Sequence, residues 1–141
     1  MPQRGSSAHA SWECKYHVIF VPKYRRKVLY GQTRQEVGRI LRRLCDQRGI
    51  EIIEAHAMPD HIHLCLSIPP KYAVANAIGF LKGKSAIWIA NTLVTKSKRG
   101  SRSFWTRGYY VSTVGADEKT IREYIRNQER EDKAMDQLQL P

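Results

Sequence analysis

The sequence predicts an α+β fold in a single domain: a four-stranded antiparallel sheet with two helices on one face and a further helix at the C-terminus. Three observations carry this reading. Four short segments are rich in aromatic and β-branched residues or alternate with period two, two long segments between them repeat apolar residues with helical spacing, and a third helical segment closes the chain. At 141 residues the chain is long enough for one substantial core and too short for two. Its 42% hydrophobic and 26% charged residues belong to globular proteins and exclude intrinsic disorder.

The first eleven residues, MPQRGSSAHAS, are polar and hold Pro, Gly and Ser, so a flexible N-terminal arm is expected over 1–11 and a single domain over 12–141. CKYHVIFV, from Cys14 to Val21, has strand composition and is closed by Pro22, and the basic run Lys23 to Lys27 follows. Between Thr33 and Arg48, Val37, Ile40, Leu41, Leu44 and Cys45 form one helix face, and Gly49 supplies a stop. Ile50 to Ala57 and His61 to Ile68 read as a hairpin around Met58, Pro59 and Asp60, with Pro69 and Pro70 ending it. Helical spacing returns at Val74, Ala77, Ile78, Leu81, Ser85, Trp88 and Ile89, predicting a helix over 74–93. A basic loop from Lys96 to Arg102 precedes a strand over 109–114, and Gly115 separates that strand from a helix over about 117–137. The order β, α, β, β, α, β, α is that of a ferredoxin-like, RRM-like sandwich with an added terminal helix.

Charge narrows the function. Lys and Arg number 24 against 13 Asp and Glu, a net charge of +11 and a pI near 9.9, which favours a polyanionic partner, nucleic acid first among them. Cys14, Cys45 and Cys65 are scattered, odd in number and without a C-x-x-C pair, which argues against a disulfide framework or a zinc ribbon. No apolar run reaches the length of a membrane span and the N-terminus lacks the apolar stretch of a signal peptide, so a cytoplasmic location is expected.

The candidate chemistry sits on two elements. In the strand from His61 to Ile68, Ile62, Leu64, Leu66 and Ile68 share the core face, while His61 and His63 project together from the other. Two imidazoles so placed suit one metal ion, although exposed histidines also recur by chance. On the last helix Ile121, Tyr124, Ile125 and Gln128 form a stripe that presents a phenol and an amide oxygen one turn apart. Taken alone, that stripe reads first as an amphipathic face in which Tyr124 packs and Gln128 rims the core, and only its pairing with His61 and His63 points to chemistry. His56 lies close enough in sequence that a three-histidine zinc hydrolase is a further reading. Gly83, Lys84 and Ser85 do not make a phosphate-binding P-loop, because Ile78 stands where its first glycine belongs.

Five blocks in order, YHVIFVPKYRRKVLYG, MPDHIHLCL, FLKGKSA, FWTRGYYVSTVG and YIRNQ, span about Trp12 to Gln128. They resemble the HUH-superfamily single-tyrosine transposases of insertion sequences of the two-hundred type, which move as single-stranded DNA. The resemblance implies that Tyr124 is the nucleophile, that His61, His63 and Gln128 hold a divalent metal, Mg2+ or Mn2+, and that cleavage leaves a DNA 5′ end on the tyrosine. It also implies a homodimer in which the tyrosine helix of one subunit completes the site of the other. Gly115 would then be either the hinge for that exchange or a simple break before the helix. Lys23, Arg25, Arg26, Lys27, Lys96, Lys98, Arg99 and Arg102 would hold the phosphates of a DNA hairpin at the element ends. A replication-initiator nickase would share the histidines and tyrosine but carries appended domains that are missing here. A non-catalytic nucleic-acid-binding module of the same fold accounts for the charge and leaves the His, Tyr and Gln arrangement to chance.

Overall fold

A computed structural model describes residues 5–6, 11–92, 104–114 and 118–138. Strands β1 (Gly5–Ser6) and β2 (Ser11–Trp12) pair antiparallel. The segment expected as a loose arm therefore carries a short ladder. The main sheet comprises β3 (Lys15–Phe20), β4 (Glu51–Met58), β5 (His61–Ser67) and β6 (Tyr110–Thr113), in the spatial order β4-β5-β3-β6 with every pair antiparallel. Helices α1 (Gly31–Gln47), α2 (Val74–Thr92) and α3 (Glu118–Leu138) complete the expected element order.

Helix α1 and the β4–β5 hairpin end for local reasons. Gly49 takes φ +66 after α1, the left-handed conformation that suits a residue without Cβ, and lets Ile50 N–H reach the Cys45 carbonyl (2.9 Å) and Gly49 N–H that of Asp46 (3.3 Å). The hairpin turn at Pro59 and Asp60 brings Met58 opposite His61. A bulge between Ile52 and Glu54 bends the edge strand β4.

Alternation assigns the two faces of the sheet. Val18, Phe20, Ile62, Leu64 and Leu66 are buried against Val37, Leu41 and Leu44 of α1 and Ile78, Leu81 and Ile89 of α2. This is the larger core, and full burial of each such side chain stabilises the fold by about 1.5–3 kcal/mol before entropy is counted. The opposite face is covered too: Ile19 and Val21 are buried with Ile125 of α3, and Tyr110, Ile121 and Tyr124 pack around them. Cys65 and Ser67 also lie buried on that face, so it is not the open polar surface that the alternation suggests. The three cysteines are free thiols. No helix among the described residues is long and apolar enough to cross a membrane.

Leu81 is fully buried while Ile87, on the same helix, is about half exposed. Urea unfolding is expected to show a loss of about 2–5 kcal/mol for Leu81→Ala and less than about 0.5 kcal/mol for Ile87→Ala.

Candidate active site

The site begins with the side chains that β3 and β5 place on the second face. His63 stands opposite Ile19 in the β3–β5 ladder and opposite His56 in the β4–β5 ladder. His17, two residues before Ile19, brings Nδ1 within 3.0 Å of His63 Nε2, one ring donating to the other. Burial, followed by the neighbouring charges of His17, His56 and His61, lowers the His63 pKa below its usual value and favours the neutral ring that a metal requires. His61 Nδ1 lies 2.9 Å from Asp60 Oδ1. A carboxylate only accepts, so Nδ1–H donates in this bond, and in the neutral ring Nε2 is then the lone-pair nitrogen. His56 is exposed and paired with Glu54 at 2.9 Å, its ring centroid 6.5 Å from that of His63. Among the described residues no three His, Cys, Asp or Glu side chains gather closely enough to hold a metal ion, which removes the basis for a three-histidine zinc centre.

Helix α3 brings the second half. Ile125 is its apolar anchor on Ile19 and Val21, and Tyr124 lies beside it with its ring centroid 5.5 Å from that of Tyr110. Because Ile19 is the cross-strand partner of His63, the tyrosine helix lies on the sheet face that carries the histidine pair. The Tyr124 hydroxyl is buried and makes no hydrogen bond. Burial is the largest influence on its pKa and raises it strongly, with Glu131, Asp132 and Tyr109 adding to the rise and the nearby Thr106 hydroxyl opposing it. Thr106 Oγ1 donates to the Gly108 carbonyl (3.0 Å). Gln128 is buried, its Nε2 donates to Glu131 Oε1 at 3.4 Å, and its amide faces Gly108, where an added Cβ would stand 3.4 Å from Oε1.

Several residues that sequence reasoning missed hold these halves in place. Lys82 Nζ donates to the carbonyls of Thr106 (2.6 Å), Arg107 (2.9 Å) and Gly108 (2.9 Å). Burial pulls the Lys82 pKa down to about 8, against the pull of Asp132. Thr106 N–H donates to the Val21 carbonyl (2.7 Å), and Trp105 Nε1 donates to Ser85 Oγ (2.9 Å), giving the serine of the rejected P-loop a structural role within α2. Asp132 is buried and accepts from the Tyr24 N–H at 2.9 Å. Tyr24 and Arg25 have φ of 62 and 52, positions that cost a non-glycine residue roughly 1–2 kcal/mol each. Arg25 reaches both Asp60 (3.4 Å) and Glu129 (3.6 Å), so one guanidinium touches the neighbour of His61 and the neighbour of Gln128. Asp132 had a legible signal, since it continues the Tyr124–Gln128 stripe by one turn, and His17 shares the parity of Ile19.

The histidine pair and the Tyr124–Gln128 pair are joined through Ile19 and Arg25, with no direct hydrogen bond between them among the described residues. Of the basic residues expected on DNA, Arg26 and Lys27 are exposed, Arg26 and Lys23 lie over the Tyr24 ring, and Arg25 is engaged by the two carboxylates. Lys96, Lys98, Arg99, Arg102 and the suggested hinge Gly115 lie outside the described residues.

The family described as IS200-like transposases matches residues 10–128. This chain belongs to that family. It is 47% identical to the transposase of insertion sequence IS200 from Salmonella typhimurium over the whole chain and 93% of that relative. It is 35% identical to the ISDra2 transposase TnpA of Deinococcus radiodurans, covering 83% of this chain and 85% of that one. A crystal structure assigned as a transposase from Deinococcus radiodurans R1 superposes with a TM-score of 0.79 at 30% identity, over 87% of this chain and 96% of the other. A REP-associated tyrosine transposase bound to a REP hairpin shares the fold, with a TM-score of 0.53 at 14% identity over 85% and 68%. The chain is thus a transposase of the IS200-like family with the α+β sandwich of its structural neighbours.

Removal of the Asp132 carboxylate leaves the Tyr24 N–H without its acceptor, a loss of about 1–3 kcal/mol. Asp132→Ala is expected to speed amide hydrogen exchange across 118–138 about tenfold or more while β3 and β5 keep their protection, as measured by mass spectrometry.

Proposed function

We propose that this transposase cleaves and rejoins single-stranded DNA at insertion-sequence ends, with Tyr124 as nucleophile and a divalent metal held by His61, His63 and Gln128. The observation that carries the proposal is the seating of α3, with Tyr124 and Gln128 on its inner stripe, over the sheet face that bears the histidines. The alternative of a DNA-binding module without chemistry gives no reason for a buried tyrosine hydroxyl that makes no hydrogen bond.

The donor set fits a metal. His63 is biased toward its neutral form, and the Asp60 carboxylate orients His61 as such partners orient metal-ligating imidazoles. Two imidazole nitrogens and an amide oxygen admit Mn2+ or Mg2+. When bound, such an ion supplies charge neutralisation at the phosphate oxygens and orients the phosphate.

The protein's own groups perform the rest. Tyr124 Oη forms a bond to the scissile phosphorus, the P–O3′ bond breaks, and the phenolic proton is released while the departing O3′ becomes a 3′-hydroxyl. A free phenol has a pKa of about 10 and burial raises that of Tyr124, so its deprotonation depends on what surrounds it when DNA is bound. The 5′-phosphotyrosine conserves the energy of the phosphodiester, and attack by a 3′-hydroxyl restores the phenol and joins the strands. A REP hairpin is bound by the fold neighbour, and we assign hairpins at the element ends as the partner of this chain, with Lys23, Arg26, Lys27, Lys96, Lys98, Arg99 and Arg102 on their phosphates. The proposed assembly is a homodimer, in which the contact of Ile125 with Ile19 and Val21 can form within one copy or between two.

On labelled single-stranded DNA from the flanks of the gene with Mn2+, a denaturant-resistant adduct is expected for the native protein. Tyr124→Phe and chelation are each expected to abolish it while hairpin binding persists; an undiminished adduct in Tyr124→Phe would refute the assignment. Asp60→Asn is expected to weaken Mn2+ binding about 10–100-fold by calorimetry, because it loosens the orientation of His61.

A further inference from the structure

The proposed chemistry leaves unexplained a lysine drawn into the protein to meet three consecutive carbonyls. Lys82 lies on α2, and its ammonium has three N–H donors. All three are used, on Thr106, Arg107 and Gly108 at 2.6, 2.9 and 2.9 Å. An ammonium so engaged is not a free ligand for DNA phosphate. It is a clasp: three successive carbonyl dipoles pointing at one place repel one another, and a cation at their focus removes that repulsion.

Two of the clasped residues, Thr106 and Gly108, lie against α3. Thr106 faces the Tyr124 hydroxyl and Gly108 lies against the Gln128 amide. Ser85, one turn along α2, holds Trp105 at the start of the same segment, and Thr106 N–H is tied to Val21 beneath Ile125. We propose that Lys82 is a positioning residue of the transposase, whose ammonium shapes segment 106–108 into the seat that fixes Tyr124 and Gln128 over the histidine face. The proposal rests on the reading of Tyr124 and Gln128 as nucleophile and ligand. Lys82 touches neither reacting atoms nor substrate, and it acts through Thr106 and Gly108.

The test separates seating from catalysis. Lys82→Met keeps the aliphatic stem and removes every donor. Nitration by tetranitromethane, without DNA or metal, is read on the tryptic peptide 123–126, which holds Tyr124, with Tyr16 and Tyr72 as internal references. The expected result is a rise of about tenfold at Tyr124 alone, as its helix face opens locally. In the same variant the adduct rate on flanking single-stranded DNA with Mn2+ is expected to fall about 100-fold, as for a group displaced from its reactive position, with hairpin binding retained. Lys82→Cys treated with 2-bromoethylamine, which rebuilds a lysine-like ammonium, is expected to restore both readouts, the wild type treated alike serving as the control for Cys14, Cys45 and Cys65. Native nitration protection with a native adduct rate in Lys82→Met would overturn the proposal. So would an equal rise at Tyr16, Tyr72 and Tyr124, which marks general unfolding, if the aminoethylated variant also fails to protect Tyr124. Should the native protein form no adduct at all, the functional reading falls while the nitration result still decides the role of Lys82.

Discussion

The arrangement depends on one contact, the burial of Ile125 against Ile19 and Val21. A sheet covered by helices on one face only would present Ile19 and Val21 to water beside the histidines. Covering them draws α3 across the second face, and helical periodicity then decides what else arrives: with Ile125 pinned, Tyr124 lies beside it and Gln128 and Asp132 follow along the same stripe. The residues proposed for chemistry are delivered by a hydrophobic contact in which none of their polar atoms takes part.

That contact is small beside the core on the other face, and the polar interactions around it are correspondingly many. Asp132 caps the strained turn at Tyr24 and Arg25, Arg25 spans Asp60 and Glu129, and Lys82 gathers the segment under Gln128. The Arg25 pairs are partly exposed, so each contributes on the order of 1 kcal/mol or less and acts chiefly on register. Against these stands the Tyr124 hydroxyl, desolvated and without a partner. A helix held by few apolar contacts and several specific polar ones is the kind that opens below the global unfolding free energy. Such an element can carry a nucleophile onto a substrate or exchange between copies without disturbing the larger core.

Much of this was legible in the sequence. The period-two pattern of Ile62, Leu64, Leu66 and Ile68 placed β5 and assigned its faces, and the 3.6-residue spacing placed α1, α2 and α3 within a few residues of their ends. What the pattern concealed was the cover on the second face. Alternation shows which residues avoid the larger core but not what else they meet, and Cys65 and Ser67, on the face away from that core, are buried as well. The short β1–β2 ladder was invisible because Gly, Ser and Ala carry no periodic signal. Lys82, Arg25 and the pairing of His17 with His63 escaped for a different reason: each contact joins residues at least 24 positions apart, and nothing local marks which lysine or histidine will find such a partner. The family motifs point to the proposed chemistry, whereas the contacts that hold α3 on the sheet are visible only in the structure.

The central claim is that Tyr124, carried by α3 onto the histidine face, is the residue to which DNA becomes joined. The most direct measurement is to form the protein–DNA adduct, digest it with nuclease and trypsin, and locate the nucleotide remnant by mass spectrometry. The account predicts that the remnant sits on the peptide 123–126, whose one tyrosine is Tyr124. A remnant on the peptide carrying Tyr109 and Tyr110, or on any other residue, would contradict it.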